Sequence, residues 1–189
     1  VTIGNANVTT VRMGNGDVIY STEGGNPVNV KDFGAKGDGT TDDYAAIQNA
    51  INSLTSGTVY FPAGNYLINN TVNLKPGVAL FSYSSSQTKL IAGSDNMVMI
   101  FYVMTGGGGV SGLSMKGFYL SATGKTNVTG IKIHGYESGS TLGRVEFVQL
   151  TDLYCLDFIM AIDLYLCVGP TLENILVQRS DTGFQLRNC

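Results

Sequence analysis

Apolar positions in this chain come in short runs, broken every few residues by Gly, Asn, Ser or Asp. Thr58 to Phe61, Tyr66 to Ile68, Val72 to Leu74, Val78 to Phe81, Lys89 to Ile91 and Met97 to Val103 each read as a strand of a few residues. Strands this short and this closely spaced predict a sandwich, a barrel or a solenoid. One stretch breaks the rule. Ile47, Ala50, Ile51 and Leu54 fall at i, i+3, i+4 and i+7, a single apolar stripe on a helix ending near Ser56 and Gly57. Just before it, Thr40 or Thr41 is placed to cap that helix, with Asp42 and Asp43 in its first turn against the positive dipole end.

A loose internal repeat in the second half chooses among the three architectures. Thr129-Gly130-Ile131-Lys132-Ile133-His134 aligns with Met160-Ala161-Ile162-Asp163-Leu164-Tyr165 and with Thr182-Gly183-Phe184-Gln185-Leu186-Arg187, the period-two phase agreeing throughout. Ile131, Ile162 and Phe184 then stack in one inward column, and Ile133, Leu164 and Leu186 in another. Lys132, Asp163 and Gln185 form an outward column; His134, Tyr165 and Arg187 form a second. Companion strands start near Phe118, Phe147 and Ile175. The steps from Ile131 to Ile162 and from Ile162 to Phe184 are 31 and 22 residues, inside the range of about 20–45 for a solenoid repeat. The polar segment Gly135 to Thr141 accounts for most of the excess of the longer step over the shorter, as an insertion at one corner. Sandwich strands alternate in direction and need no shared phase, so the prediction is an all-β solenoid. Its core would lie open at the end, and the short amphipathic helix is suited to lie across it.

Composition narrows the function. In 189 residues, 43% hydrophobic and 13% charged with 25 Gly, there is room for one sizeable, turn-rich core and a short arm. Residues 1–27, rich in Asn, Thr and Gly, with strand-like pieces at Val8 to Met13 and Val18 to Tyr20, read as an N-terminal arm or linker; residues 28–189 are the solenoid. A net charge of -3 without a basic run argues against nucleic acid and anionic membrane as partners. Cys155, Cys167 and Cys189 have no C-x-x-C spacing and read as buried thiols, with Cys167 and Cys189 one repeat step apart on neighbouring rungs. No cofactor and no metal are expected: Asp38, Asp42 and Asp43 lack the alternating spacing of a calcium loop and suit turn and helix capping.

The run Val30-Lys31-Asp32-Phe33-Gly34-Ala35-Lys36-Gly37-Asp38-Gly39-Thr40-Thr41-Asp42-Asp43, then the helical stripe, then Thr58-Val59-Tyr60-Phe61-Pro62-Ala63-Gly64-Asn65-Tyr66, resembles the opening of the pectate-lyase-like superfamily. The resemblance covers Val28 to about Ile68 by motif and the remaining rungs by pattern. It implies a right-handed single-stranded parallel β-helix with a short N-terminal capping α-helix, and a polysaccharide partner. Within the superfamily, the arm, the lack of a secretion signal and the free cysteines are most similar to a bacteriophage tailspike or pre-neck appendage protein. That implies a virion protein, a homotrimer of side-by-side β-helices, touching other tail proteins through its N-terminal side. It would bind, and in complete form depolymerise, a bacterial capsule, O-antigen or wall teichoic acid during host adsorption. The alternatives are a secreted, extracellular pectinase-type hydrolase or lyase and a non-catalytic adhesion β-helix. Of the polygalacturonase-type active-site blocks, His134-Gly135 is the one match, and the others normally lie later in the helix. The chain stops at Leu186-Arg187-Asn188-Cys189, in strand-like sequence without a polar cap, so the β-helix is expected to continue beyond residue 189.

Glycoside hydrolysis generally uses two carboxylates roughly 5–9.5 Å apart, one of them protonated. Asp163 is the best-placed single acid and the candidate catalytic residue, although a plain surface role beside Lys132 also fits its column. Lys132, His134, Tyr165 and Arg187 are the candidate glycan-binding residues, because aromatic faces and planar donors suit sugar rings and acidic groups. His134, on the outer face, is expected to be exposed. No carboxylate pair stands out among Glu146, Asp152, Asp157, Glu173 and Asp181. Elimination would instead need Ca²⁺ or another group that neutralises an acidic sugar, plus an Arg or Lys base.

Overall fold

The computed structural model describes residues 27–189, together with the short strands Thr10–Arg12 and Val18–Ser21, which pair antiparallel with each other. The rest of the expected arm lies outside the described residues. From Val28 on, the chain winds into parallel ladders, each strand hydrogen-bonded to its equivalent one rung away. One ladder runs through Val28–Asn29, Gly57–Tyr60, Val78–Phe81 and Ser114–Lys116. A second takes Asp38–Asp42, Gly64–Ile68, Thr88–Ala92 and Tyr119–Ser121. Both continue into the long strands Gln149–Leu156 and Thr171–Gln178, which bend from one ladder into the other. The third ladder stacks Val72–Asn73, Val98–Val103, Thr129–His134, Met160–Tyr165 and Thr182–Arg187. A short fourth joins Gly108–Ser111, Thr141–Glu146 and Cys167–Val168. The architecture is the expected right-handed parallel β-helix.

Its corners are made by left-handed backbone stacked rung on rung. Gly112 (φ 81°), Phe147 (φ 53°) and Gly169 (φ 61°) form one corner, and Gly117 (φ 85°), Asp152 (φ 55°) and Asn174 (φ 52°) the next. Asn and Asp tolerate this conformation better than other side chains, and here they also bond along the axis. Asn174 Nδ2 donates to Asp152 Oδ1 at 3.1 Å, and Asn127 Nδ2 donates to Asn96 Oδ1 at 2.9 Å. Phe147 is therefore a corner residue rather than the start of a companion strand. The equivalent of Phe118 and Ile175 is Leu153, one residue ahead of the Tyr119–Tyr154 pair.

The inward columns follow the predicted phase. Ile131, Ile133, Ile162 and Leu164 are 0% exposed, in register Ile131–Ile162–Phe184 and Ile133–Leu164–Leu186. Phe61 packs edge-on to both Tyr66 and Phe118, with ring centroids 5.5 and 5.0 Å apart. Cys155 and Cys167 are buried, and burial pushes both thiols up to about 12. Cys189 takes the place of Cys167 one rung on, their thiols donating to Leu164 O and Ile133 O at 3.6 Å each. Contrary to expectation it is exposed, since among the described residues the strand Thr182–Arg187 before it pairs on one side only.

Helix α1, Tyr44–Asn52, closes the N-terminal end with Ile47, Ala50 and Ile51 turned into the core. Its capping differs from the expectation. Thr40 and Thr41 belong to the strand Asp38–Asp42, and their amides and hydroxyls all donate to Asp38 at 2.7–3.0 Å. These bonds, that from the Thr41 amide foremost, hold the Asp38 carboxyl well below the usual carboxylate range. Asp43 is the N-cap residue but makes no capping bond. Buried at 1% exposure, it instead accepts from the amides of Lys36 at 2.6 Å and Gly37 at 3.0 Å. A buried carboxylate needs such donors, and the backbone amides of the glycine-rich turn supply them.

Candidate functional site

The third ladder carries the predicted outward columns. Lys132, Asp163 and Gln185 lie in register, as do His134, Tyr165 and Arg187. Asp163 is nevertheless only 7% exposed. Its Oδ2 lies 2.8 Å from His134 Nε2, and Arg187 Nη2 donates to Oδ1 at 3.0 Å and to Oδ2 at 3.3 Å. The pairing is thus diagonal, from the rungs before and after, and leaves Lys132 out. Adjacent strands sit about 4.7–4.9 Å apart, so an imidazole and a guanidinium reach across and cover the carboxylate. Lys132, half-buried, makes no ion pair with Asp163. This corrects two expectations: Asp163 is not a surface residue beside Lys132, and the His134 side chain is only 16% exposed.

Tyr165 sits at the centre of the cluster. The His134 ring lies edge-on to it with centroids 5.6 Å apart, and the Arg187 guanidinium carbon is 5.2 Å from its ring centre. Its phenol donates to Glu137 Oε2. Glu137 comes from the predicted insertion, which is a hairpin rather than a loose loop: Tyr136–Ser138 pairs antiparallel with the start of Thr141–Glu146. Gly135 is the exit point, since a Cβ there would overlap the Gly143 carbonyl and come 2.6 Å from Leu166 Cβ. Sequence reasoning missed Glu137. The available signal was its place in a corner insertion that starts directly after His134.

A carboxylate only accepts and a guanidinium only donates. His134 Nε2 faces the Asp163 carboxylate at 2.8 Å, with Arg187 Nη2 at 3.5 Å, so Nε2 carries the hydrogen and the neutral ring keeps its lone pair on Nδ1. Burial pulls the imidazole below its usual 6.5 and, with Lys132 and Arg187 nearby, outweighs the opposing pull of Asp163. The cluster therefore holds a neutral base, a fixed carboxylate, a phenol and two cations on one face. Among the described residues, no group of three or more His, Cys, Asp or Glu is placed to hold a metal ion, and no helix is long and apolar enough to cross a membrane.

A right-handed parallel β-helix closed by a helix at one end is the architecture of the pectate-lyase-like proteins. The chain belongs to the rhamnogalacturonase A/epimerase, pectate lyase-like family, whose profile matches residues 27–188. It is similar to mannuronan C5-epimerase AlgE4 of Azotobacter vinelandii, 37% identical over 123 residues, covering 59% of this chain and 22% of that protein. The solved A-module of the same epimerase superposes with a TM-score of 0.61 at 24% identity, over 84% of this chain and 53% of that one. ORF18 of Geobacillus virus E2 superposes with a TM-score of 0.52 at 27% identity, over 74% of this chain and 30% of that one. The chain thus spans from 22% to 53% of these relatives, which include polysaccharide-acting enzymes and a viral protein.

Proposed function

We propose that this chain belongs to a bacteriophage tailspike or appendage protein whose β-helix binds an acidic polysaccharide of the bacterial surface and cuts it by elimination. The observation that carries the reading is Asp163, buried on an outward strand position and bridged by His134 and Arg187 from the two flanking rungs. A buried ion pair adds little stability over apolar packing, so its presence on an outer face favours a chemical role. Both oxygens of Asp163 and one of Glu137 are already engaged by donors. Asp163, with both oxygens turned to His134 and Arg187, is thus better suited to hold those two side chains than to meet a glycosidic oxygen. His134 Nδ1 suits a proton acceptor, and Arg187 and Lys132 suit the carboxylate of a uronic acid. In the elimination, His134 takes the proton from the carbon beside that carboxylate. The released electron pair forms the new carbon–carbon double bond as the neighbouring glycosidic C–O bond breaks, and the departing oxygen is protonated from water.

The similarity to a viral protein supports the virion setting. Leu142, Phe147 and Val168, 42%, 62% and 41% exposed, would suit side-by-side packing in a homotrimer. The test is incubation of the full-length protein with purified capsules, O-antigens, teichoic acids, alginate and pectin, following reducing ends and the absorbance of unsaturated products together. Both signals are expected on one acidic bacterial polymer, and both should vanish in Asp163→Asn and His134→Ala. Reducing ends without absorbance would replace elimination by hydrolysis; binding without product would make the protein an adhesin.

A further inference from the structure

We propose a second saccharide site, on the outer face of the first rungs, built around Tyr83. It rests on the reading that the chain handles an acidic polysaccharide, but it involves none of the residues around Asp163. Tyr60 and Phe81 pair in register on adjacent strands and face outward, half-buried, their rings 6.3 Å apart and 34° from parallel. Tyr83 crosses both edge-to-face, at 5.4 Å and 72° to Tyr60 and at 5.1 Å and 77° to Phe81. Braced by two rings, it is still 59% exposed. An aromatic side chain left this open yet held this firmly offers a flat apolar surface whose ordering cost is already met by the fold.

The backbone beneath it is fixed as well. Ser82 is 1% exposed and its amide donates to Lys116 O at 2.9 Å. The Ser84 carbonyl accepts from the amides of Gln87 and Thr88, both at 3.1 Å. Gly117, at φ 85°, lets the next rung pass directly against this corner, since a Cβ there would overlap the Ser82 carbonyl oxygen. Lys116 follows Tyr60 and Phe81 in the same outward column. Its side chain is 54% exposed and makes a long 3.5 Å pair with the half-buried Asp152, which also accepts from Asn174, leaving its charge open to a competing anion.

The occupant these features fit is one uronic-acid unit, its C–H face on Tyr83 and its carboxylate toward Lys116. A protein partner fits less well. A stable interface takes about 20–30 residues a side, whereas this platform is three rings followed along its column by Lys116, Thr151 and Glu173.

The experiment is calorimetric titration of the chain with polymannuronate and polygalacturonate, alongside product release from their tetrasaccharides. It compares the unaltered chain, Tyr83→Ala, Tyr83→Phe and Asp163→Asn, with urea midpoints as a check on folding. Tyr83→Ala should weaken binding of one polymer about tenfold, Tyr83→Phe should bind as the unaltered chain does, and neither should change turnover of tetrasaccharides. Asp163→Asn should retain the Tyr83-dependent part of polymer binding. Loss of polymer binding in Tyr83→Ala with no turnover by any form would uphold this site and defeat the elimination reading. Equal binding by Tyr83→Ala, no binding of either polymer by the unaltered chain, or a change of oligomeric state in Tyr83→Ala would overturn the site.

Discussion

Beside helix α1, Ile47, Ala50 and Ile51 are at most 1% exposed; on the last described strand, Phe184 and Leu186 are 44% and 50% exposed. Yet Phe184 and Leu186 continue the very columns in which Ile131, Ile133, Ile162 and Leu164 are wholly buried. The side chains are of one kind and the strand phase is the same. What differs is the layer beyond: helix α1 packs over the first columns, whereas among the described residues the strand Thr182–Arg187 has a paired neighbour on one side only. Burial in this fold is thus a property of the neighbouring layer, and stability is expected to add up through nearest-neighbour contacts.

Mutation can break that comparison. The largest effect is expected at the middle of the stack, where Ile162→Ala should cost about 2–5 kcal/mol by urea unfolding. Leu186→Ala, in the companion column of the last rung, should cost less than about half as much; equal costs would mean that the layers do not decide burial. At the capped end, Asp43→Asn disturbs two bonds from amides to a buried carboxylate and should cost about 1.5–3 kcal/mol, read as a lower melting temperature. A smaller effect concerns His134. Its folded value lies below 6.5, so the unfolded chain takes up the proton first as pH falls. The contribution is nil above that value and grows destabilising below it. Urea midpoints from about pH 8 to 5 should therefore slope less in His134→Gln than in the unaltered chain. The smallest stability change is expected for Phe184→Lys at the open end. Its signature should be reduced self-association of the 189-residue chain in sedimentation, since charge on an exposed edge opposes edge-to-edge pairing.

The ladder phases were legible in the sequence because a strand has a period of two, and the alignment of Ile131, Ile162 and Phe184 carried that phase across rungs. The corners were not. Asn and Asp advertise left-handed backbone, but Phe147, Leu166 and Arg179 adopt it too, and nothing in their side chains says so; Phe147 was misplaced for that reason. The site was legible as columns. Lys132, Asp163, His134, Tyr165 and Arg187 do share one face, but the diagonal bridge over Asp163 depends on side-chain reach, which a column does not encode. Glu137 was hidden because a polar insertion does not announce that it will fold back as a hairpin over Tyr165.

The two ends also differ in when they are made. Rungs follow one another at steps such as 35 residues, from Met115 to Leu150, and 22, from Ile162 to Phe184. At about 5–20 residues per second of synthesis, a new rung leaves the ribosome every ~1–7 s. The end sealed by helix α1 emerges first, so each later strand meets a finished template with one free edge. The exposed edge of the most recently finished rung is then a template for the next, and rung-by-rung assembly in the order of translation is the expected outcome.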